Sequence, residues 1–139
     1  MDRETKPSLV VTLVANDNGK QKQLESRTDL HITLEDINDN APVVGQPKSG
    51  KIHENMAGKM SVMTIQATDR DIGINAELRY TLENYLDLFA LDENSGVLKT
   101  RKPLDREEQE YYYLDVVVYD KGKFRKLFSY CFAFTLFPW

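Results

Sequence analysis

The chain has 139 residues, enough for one domain and part of another, and its 41% apolar content allows one sizeable core. Acids and bases nearly balance at a net charge of −4, which argues against a nucleic-acid binder, because phosphate recognition needs a basic stripe. The one cysteine, Cys131, excludes an internal disulfide and reads as a small buried hydrophobe.

In chain order, Leu9, Val11, Leu13 and Ala15 alternate on one face of a strand, which the turn signal Asn16-Asp17-Asn18-Gly19 ends. An acidic, amide-rich stretch, Asp36-Ile37-Asn38-Asp39-Asn40-Ala41-Pro42, follows, then a turn at Gly45-Gln46-Pro47. Ile52-His53-Glu54-Asn55 reads as a first strand, and Met63, Ile65 and Ala67 as one face of a second. Asp69-Arg70-Asp71 comes next, with Gly73 and Asn75 just beyond, and Glu93-Asn94-Ser95-Gly96 marks another turn. After Leu104-Asp105-Arg106-Glu107, a strand buries Tyr112, Leu114, Val116 and Val118, leaving Tyr111 and Tyr113 outside. The turn Asp120-Lys121-Gly122 closes it. Period-two alternation between regular turns, with no long 3.6-residue pattern, predicts an all-β antiparallel sandwich.

The chain also repeats itself. Asp2-Arg3-Glu4 followed by a strand and Asp17 matches Asp105-Arg106-Glu107 followed by a strand and Asp120, 103 positions later. Residues 1–42 therefore read as the last strands of one repeat plus a linker, and residues 43–139 as a second repeat. A two-stranded remnant is marginal alone.

The acids sit where a hard cation finds ligands. Calcium takes six to eight oxygens from carboxylates, amides and backbone carbonyls, and the Asp36–Pro42 stretch and the Asp69–Asn75 stretch are rich in them. An EF-hand does not fit: counting from Asp69, the sixth position is Ile74 and the twelfth Tyr80, where Gly and a carboxylate are required. Paired acids such as Asp105 and Glu107 do occur in glycosidases. With no Ser/His/Asp set, phosphate loop or cofactor fingerprint, a non-enzymatic role is expected. His31 and His53 lack partners at metal spacing and read as surface residues.

Asp36–Pro42 fits the pattern DxNDNxP. With xEx at Glu54, DxD at Asp69–Asp71, LDRE at Leu104–Glu107 and DxG at Asp120–Gly122, in that order, the chain resembles the cadherin family along nearly its whole length. The resemblance implies a Greek-key, immunoglobulin-like β-sandwich preceded by a partial repeat, with Ca2+ bound where repeats join. One ion would be held by Asn38, the backbone carbonyls of Asn40 and Asn75, and the carboxylates of Asp69, Asp71 and Asp120. Two more would use Asp2, Glu4, the Ile37 carbonyl, Asp39 and Asp71, but also a glutamate upstream of this sequence. Asp17 would serve an upstream junction, and Glu54, Asp105 and Glu107 a downstream one. Calcium affinity would be weak, ~10⁻⁴–10⁻³ M, and without the ion like-charge repulsion should leave the linker loose.

The resemblance further implies calcium-dependent, homophilic cell–cell adhesion at the extracellular side of the plasma membrane. Partners would be other cadherin ectodomains and neighbouring repeats, with no nucleic acid. The membrane would be reached only through a transmembrane segment outside this sequence. The alternatives are an extracellular structural or carbohydrate-recognition module and a truncated, non-adhesive product. Two departures favour a fragment. No export signal opens the chain, and Phe132–Trp139 stands where the last strand and a second DxNDN linker are expected.

Overall fold

The computed structural model describes residues 1–45 and 51–138. Gln46 and Pro47 of one expected turn, and Trp139, lie outside the described residues. The chain forms two compact units, Met1–Ile37 and Asn38–Trp139.

The first unit is an antiparallel hairpin of β1 (Ser8–Asn16) and β2 (Glu25–Thr33), with Ser8 opposite Thr33 and Asn16 opposite Glu25. Leu9 pairs with Ile32 and Val11 with Leu30, so one face is apolar, and Val11, Leu13 and Leu30 are exposed on it. Asp17 closes the turn. Its Oδ1 accepts the N–H groups of Leu24 at 2.9 Å and Gly19 at 3.1 Å, which hold its carboxyl below the usual range.

The second unit is a Greek-key β-sandwich. Its strands are β3 (Val43–Val44), β4 (Lys51–His53), β5 (Ser61–Thr64), β6 (Ala67–Thr68), β7 (Leu78–Leu82), β8 (Phe89–Leu91), β9 (Val97–Thr100), β10 (Tyr111–Asp120) and β11 (Leu127–Phe137). One sheet has the order β4-β11-β10-β7, with β4 parallel to β11 and the other pairs antiparallel; the other has the order β5-β9-β8, and β3 pairs with β6. The expected alternation along β10 holds: Tyr112, Leu114, Val116 and Val118 are buried, while Tyr111 and Tyr113 face outward. Phe89 packs edge-on against Tyr112 at 5.4 Å and Phe134 at 5.9 Å between ring centroids, joining the two sheets.

Three expectations are corrected. First, Met63, Ile65 and Ala67 do not share one strand face. Ser61 faces Lys99 and Met63 faces Leu98, so Val62 is the extra residue of a bulge. The strand then ends at Thr64, and Ala67 pairs with Val44 in the other edge pair. Gly96, at φ +67°, lets the backbone pass here; a Cβ on it would lie 2.3 Å from the Ile65 carbonyl. Second, the segment from Phe132 to Phe137 is not a departure from the last strand but most of β11, with Phe132, Phe134 and Leu136 buried. Third, that same alternation turns Cys131 outward. Its cross-strand neighbour Asp115 accepts a hydrogen bond from the thiol and pushes its pKa up.

The repeat inferred from sequence has a structural counterpart inside each unit. Lys6 N–H donates to the Asp2 carbonyl as Gln109 N–H does to that of Asp105. Glu4 N–H donates to Asp2 Oδ1 at 3.0 Å, and Glu107 N–H to Asp105 Oδ1 at 2.9 Å. The apolar face of β1 thus corresponds to the core face of β10.

Truncating Phe134 to Ala should destabilise the second unit by about 3–5 kcal/mol, as for other buried aromatics. Tyr113→Ala, on the outward face, should stay within about 0.5 kcal/mol. Urea unfolding of both variants measures the contrast, and equal losses would contradict the inward–outward assignment of β10 and β11.

Candidate metal centre

Two strand ends and a 3-10 turn bring the polar groups of this part of the second unit together. Strand β6 runs out into Asp69, whose Oδ1 accepts the Asp71 N–H at 2.9 Å, a side-chain turn that bends the chain back. Strand β10 ends at Asp120, whose Oδ1 accepts the Gly122 N–H at 2.7 Å and whose Oδ2 accepts the Lys126 N–H at 2.6 Å. The single 3-10 turn among the described residues, Gly73–Ala76, carries Asn75 to the same place, starting from Gly73 at φ +60°.

The segment Asn38–Asn40 lies on these ends. Asn38 Nδ2 donates to Asp120 Oδ1 at 2.7 Å and to the Phe124 carbonyl at 3.2 Å. Asn40 donates twice to Asp71, from its backbone N–H to Oδ2 at 3.2 Å and from Nδ2 to Oδ1 at 2.5 Å, and Nδ2 also reaches Asp39 Oδ1 at 2.9 Å. These bonds explain why residues from Asn38 onward group with the second unit. In them, amide N–H groups meet carboxylates that would otherwise repel one another.

The electrostatics are those of a site short of positive charge. Asp120 is fully buried and Asp71 is 4% exposed. Burial, and then the charges of Asp71 and Asp120, push the Asp69 carboxyl above its ordinary pKa. Asp69 Oδ2 and Asn38 Oδ1 are buried acceptors with no hydrogen-bond partner among the described residues. A buried acceptor without a donor is unfavourable unless a water or an ion satisfies it. The space is shaped too: a Cβ on Gly122 would fall 2.1 Å from Asn38 Nδ2, 2.7 Å from Asn75 Oδ1 and 2.9 Å from Asp120 Oδ1. Carboxylates, amide oxygens and carbonyls without nitrogen or sulfur ligands suit a hard divalent ion.

Asp2, Glu4 and Ile37 belong to the first unit, where Arg3 pairs with Glu4 and Asp36. The Thr5 hydroxyl, then Glu4, bring the Asp2 carboxyl down to about 2. Asp17 closes its own hairpin. Glu54, Asp105 and Glu107 form a separate group in the second unit, each offering a carboxylate oxygen within 4.8 Å of the others. Gly122, part of the Asp120–Gly122 motif, leaves the room beside the Asn38 and Asn75 side chains. Sequence reasoning missed one contributor. The Phe124 carbonyl leaves no sequence signal, since any residue carries one.

Two substitutions separate the site from the fold. Gly122→Ala pushes against side-chain ends, so it should leave the chain folded while abolishing stabilisation by added calcium, read as the melting temperature with and without the ion. Asp69→Asn removes a charge that the folded state disfavours. In chelator at pH 7 it should raise the melting temperature by a few degrees (about 4–8 °C per kcal/mol for a domain of this size), and in calcium it should lose the ion's effect. A lower melting temperature in chelator would contradict the crowded-carboxylate description.

Comparison with known proteins agrees with this architecture. The family model of the cadherin domain matches residues 48–131. Rat Cadherin-23 is 40% identical over 127 residues, covering 88% of this chain and 4% of that protein. Mouse Cadherin EGF LAG seven-pass G-type receptor 1 is 40% identical over 125 residues, with the same shares. Among solved structures, mouse Cadherin-23 EC22-24 superposes with a TM-score of 0.90 at 30% identity, covering 100% of this chain and 45% of that one. The protocadherin gammaB7 EC3-6 cis-dimer structure gives 0.90 at 27% identity, covering 99% and 34%. The chain therefore spans only a small part of the curated relatives it matches. It belongs to the cadherin family, as ectodomain repeat sequence.

Proposed function

We propose that this chain works in calcium-dependent cell–cell adhesion, as a portion of an ectodomain whose linker is fixed by calcium. The observation that carries the reading is the meeting of Asp69, Asp71 and Asp120 with Asn38 and Asn40 around two buried acceptors that lack donors. Asn38 Oδ1, the carbonyls of Asn40 and Asn75, and the three carboxylates would hold one ion. Asp2, Glu4, Ile37 and Asp39, with Asp71 again, would serve further ions, and Glu54, Asp105 and Glu107 another junction. Residues 1–42 and 43–139 would then be parts of two consecutive repeats.

When bound, the ion supplies positive charge against three crowded carboxylates. The protein's own part is mechanical. The rigid ends of β6 and β10 fix Asp71 and Asp120, and through them Asn40 and Asn38. A stiff linker would let distant repeats present an adhesive face. The partners would be other cadherin ectodomains, homophilic or heterophilic, outside the plasma membrane. Association of ectodomains is reported in the name of one structural neighbour, the protocadherin gammaB7 cis-dimer. No catalytic role is proposed. Among the described residues no helix is long and apolar enough to cross a membrane, so anchorage would come from sequence outside this chain.

Titrating calcium into the full chain, with magnesium as control, tests the reading. Ligand that binds only the native state raises stability by about 2.7 kcal/mol at one hundred times Kd. The melting temperature should climb at millimolar calcium and barely move with magnesium, which demands tighter octahedral geometry. Asp71→Ala should erase the response. A wild-type chain indifferent to calcium well above ~10⁻³ M would defeat the proposal.

A further inference from the structure

The outer edge of the hairpin in the first unit is patterned to pair with itself: we infer that β2 joins the β2 of a second copy of this chain, antiparallel, about a two-fold axis at Thr28. Among the described residues β2 pairs only with β1. Asp17 N–H donates to the Leu24 carbonyl and Leu34 N–H to the Pro7 carbonyl, at the two ends of that ladder. Alternation between these ends turns the backbone groups of the even-numbered residues of β2 toward β1, and those of Glu25, Arg27, Asp29 and His31 toward the open edge. Such a row of N–H and C=O groups is a template for another strand. The matching stretch of the second unit is open as well. Asp120 N–H donates to the Lys126 carbonyl as Asp17 N–H does to that of Leu24, so residues 25–32 correspond to residues 127–134, whereas β4 pairs with β11 only at residues 135–137.

The side chains choose the partner and the register. With the open groups on odd positions, hydrogen-bonded pairs across the new edge must join odd positions to odd positions. Thr28 opposite Thr28 sets Arg27 against Asp29, Asp29 against Arg27, and Glu25 against His31, whose imidazole can donate to a carboxylate. The next allowed register on one side sets Arg27 against Arg27 and Glu25 against Asp29; on the other it sets Asp29 against Asp29. Both oppose like charges, which is destabilising across strands. Charged edges ordinarily keep strands apart, but alternation of sign about one centre makes this edge complementary to its own copy in one register. The groups are accessible: Arg27 and Glu25 are 65% and 42% exposed at their side chains and pair with each other along the strand. Thr12 Oγ1 donates to Asp29 Oδ1 at 2.7 Å, on the face away from Leu9, Val11 and Leu30. The pairing therefore leaves the apolar face of the hairpin free for other contacts. It goes beyond the calcium reading and does not rest on it, since none of these residues is a candidate ligand. The contact is one strand wide, so the dimer belongs to the weak class that buries less than ~1,200 Å².

Sedimentation equilibrium of the full chain at fixed calcium, from micromolar to near-millimolar protein, tests the inference. The wild type should pass from monomer to dimer. Arg27→Asp or Asp29→Arg alone should weaken association about tenfold or more, because each sets like charges opposite one another twice. An equimolar mixture of the two variants should associate like the wild type, since each copy then offers the charge that the other lacks, and a misfolded variant could not give that rescue. In a Cys131→Ser background, Thr28→Cys should cross-link copies under mild oxidation, because the Cα atoms of a non-hydrogen-bonded pair stand ~4.5 Å apart. Ser26→Cys, which faces Leu30 in this register, should not. A wild type that stays monomeric throughout, an assembly that neither charge reversal weakens, or loss in both variants without rescue on mixing overturns the proposal. Cross-linking by Ser26→Cys in place of Thr28→Cys overturns the register.

Discussion

A carboxylate with no solvent exposure ends the central strand of the sandwich, and much of the second unit is arranged around keeping it there. Asp120 lies in register with the core residues Val116 and Val118 of β10, so it cannot swing out without breaking that strand's pairing with β7 and β11. An unpaired buried charge is costly, and one held by several N–H groups is not. Gly122, Lys126 and Asn38 each donate to it. The first two belong to the same turn and come with the hairpin. The third, Asn38, lies at the start of the second unit, so one buried acid also fixes that opening segment.

The same logic distinguishes Asp17 from Asp120. Each is the last residue or the first beyond a long strand, and each accepts an N–H from the glycine two positions on. Asp17 is exposed, so its two backbone donors suffice and lower its pKa. Asp120 lies beside Asp69 and Asp71, where like charge and burial act together and raise the pKa of Asp69. A shared turn becomes a candidate ion site only where neighbouring strand ends add more acid than local N–H groups can serve.

Much of this was legible in the sequence, and the failures have identifiable causes. The alternation of β10 could be read directly, because Tyr112, Leu114, Val116 and Val118 follow a strict period of two against a fully buried sheet face. That Asn38, Asn40, Asp71 and Asp120 would meet could be read from an oxygen-rich pattern of particular side chains in a particular order. The split of the Met63–Ala67 strand could not, since a bulge at Val62 is a matter of register against β9 and leaves no compositional mark. Cys131 was misjudged by residue type: free cysteine favours burial in general, yet Phe132, Phe134 and Leu136 already fix the phase of β11 and leave position 131 outside. Treating Phe132–Phe137 as a lost strand came from comparing motif letters, when the alternation alone specifies a strand.

The linker shows why counting charges was not enough. Three acids near one point suggest a segment that opens without its ion. Yet the motif that supplies the acids alternates them with amides, and an amide carries a donor and an acceptor on one rotatable group. Asn38 and Asn40 can therefore satisfy Asp120 and Asp71 from the same positions where carboxylates in their place would add repulsion. The asparagines of the pattern are thus not weaker versions of aspartate. They give the segment bonding partners in Asp120 and Asp71 and leave one acceptor, Asn38 Oδ1, without a donor among the described residues.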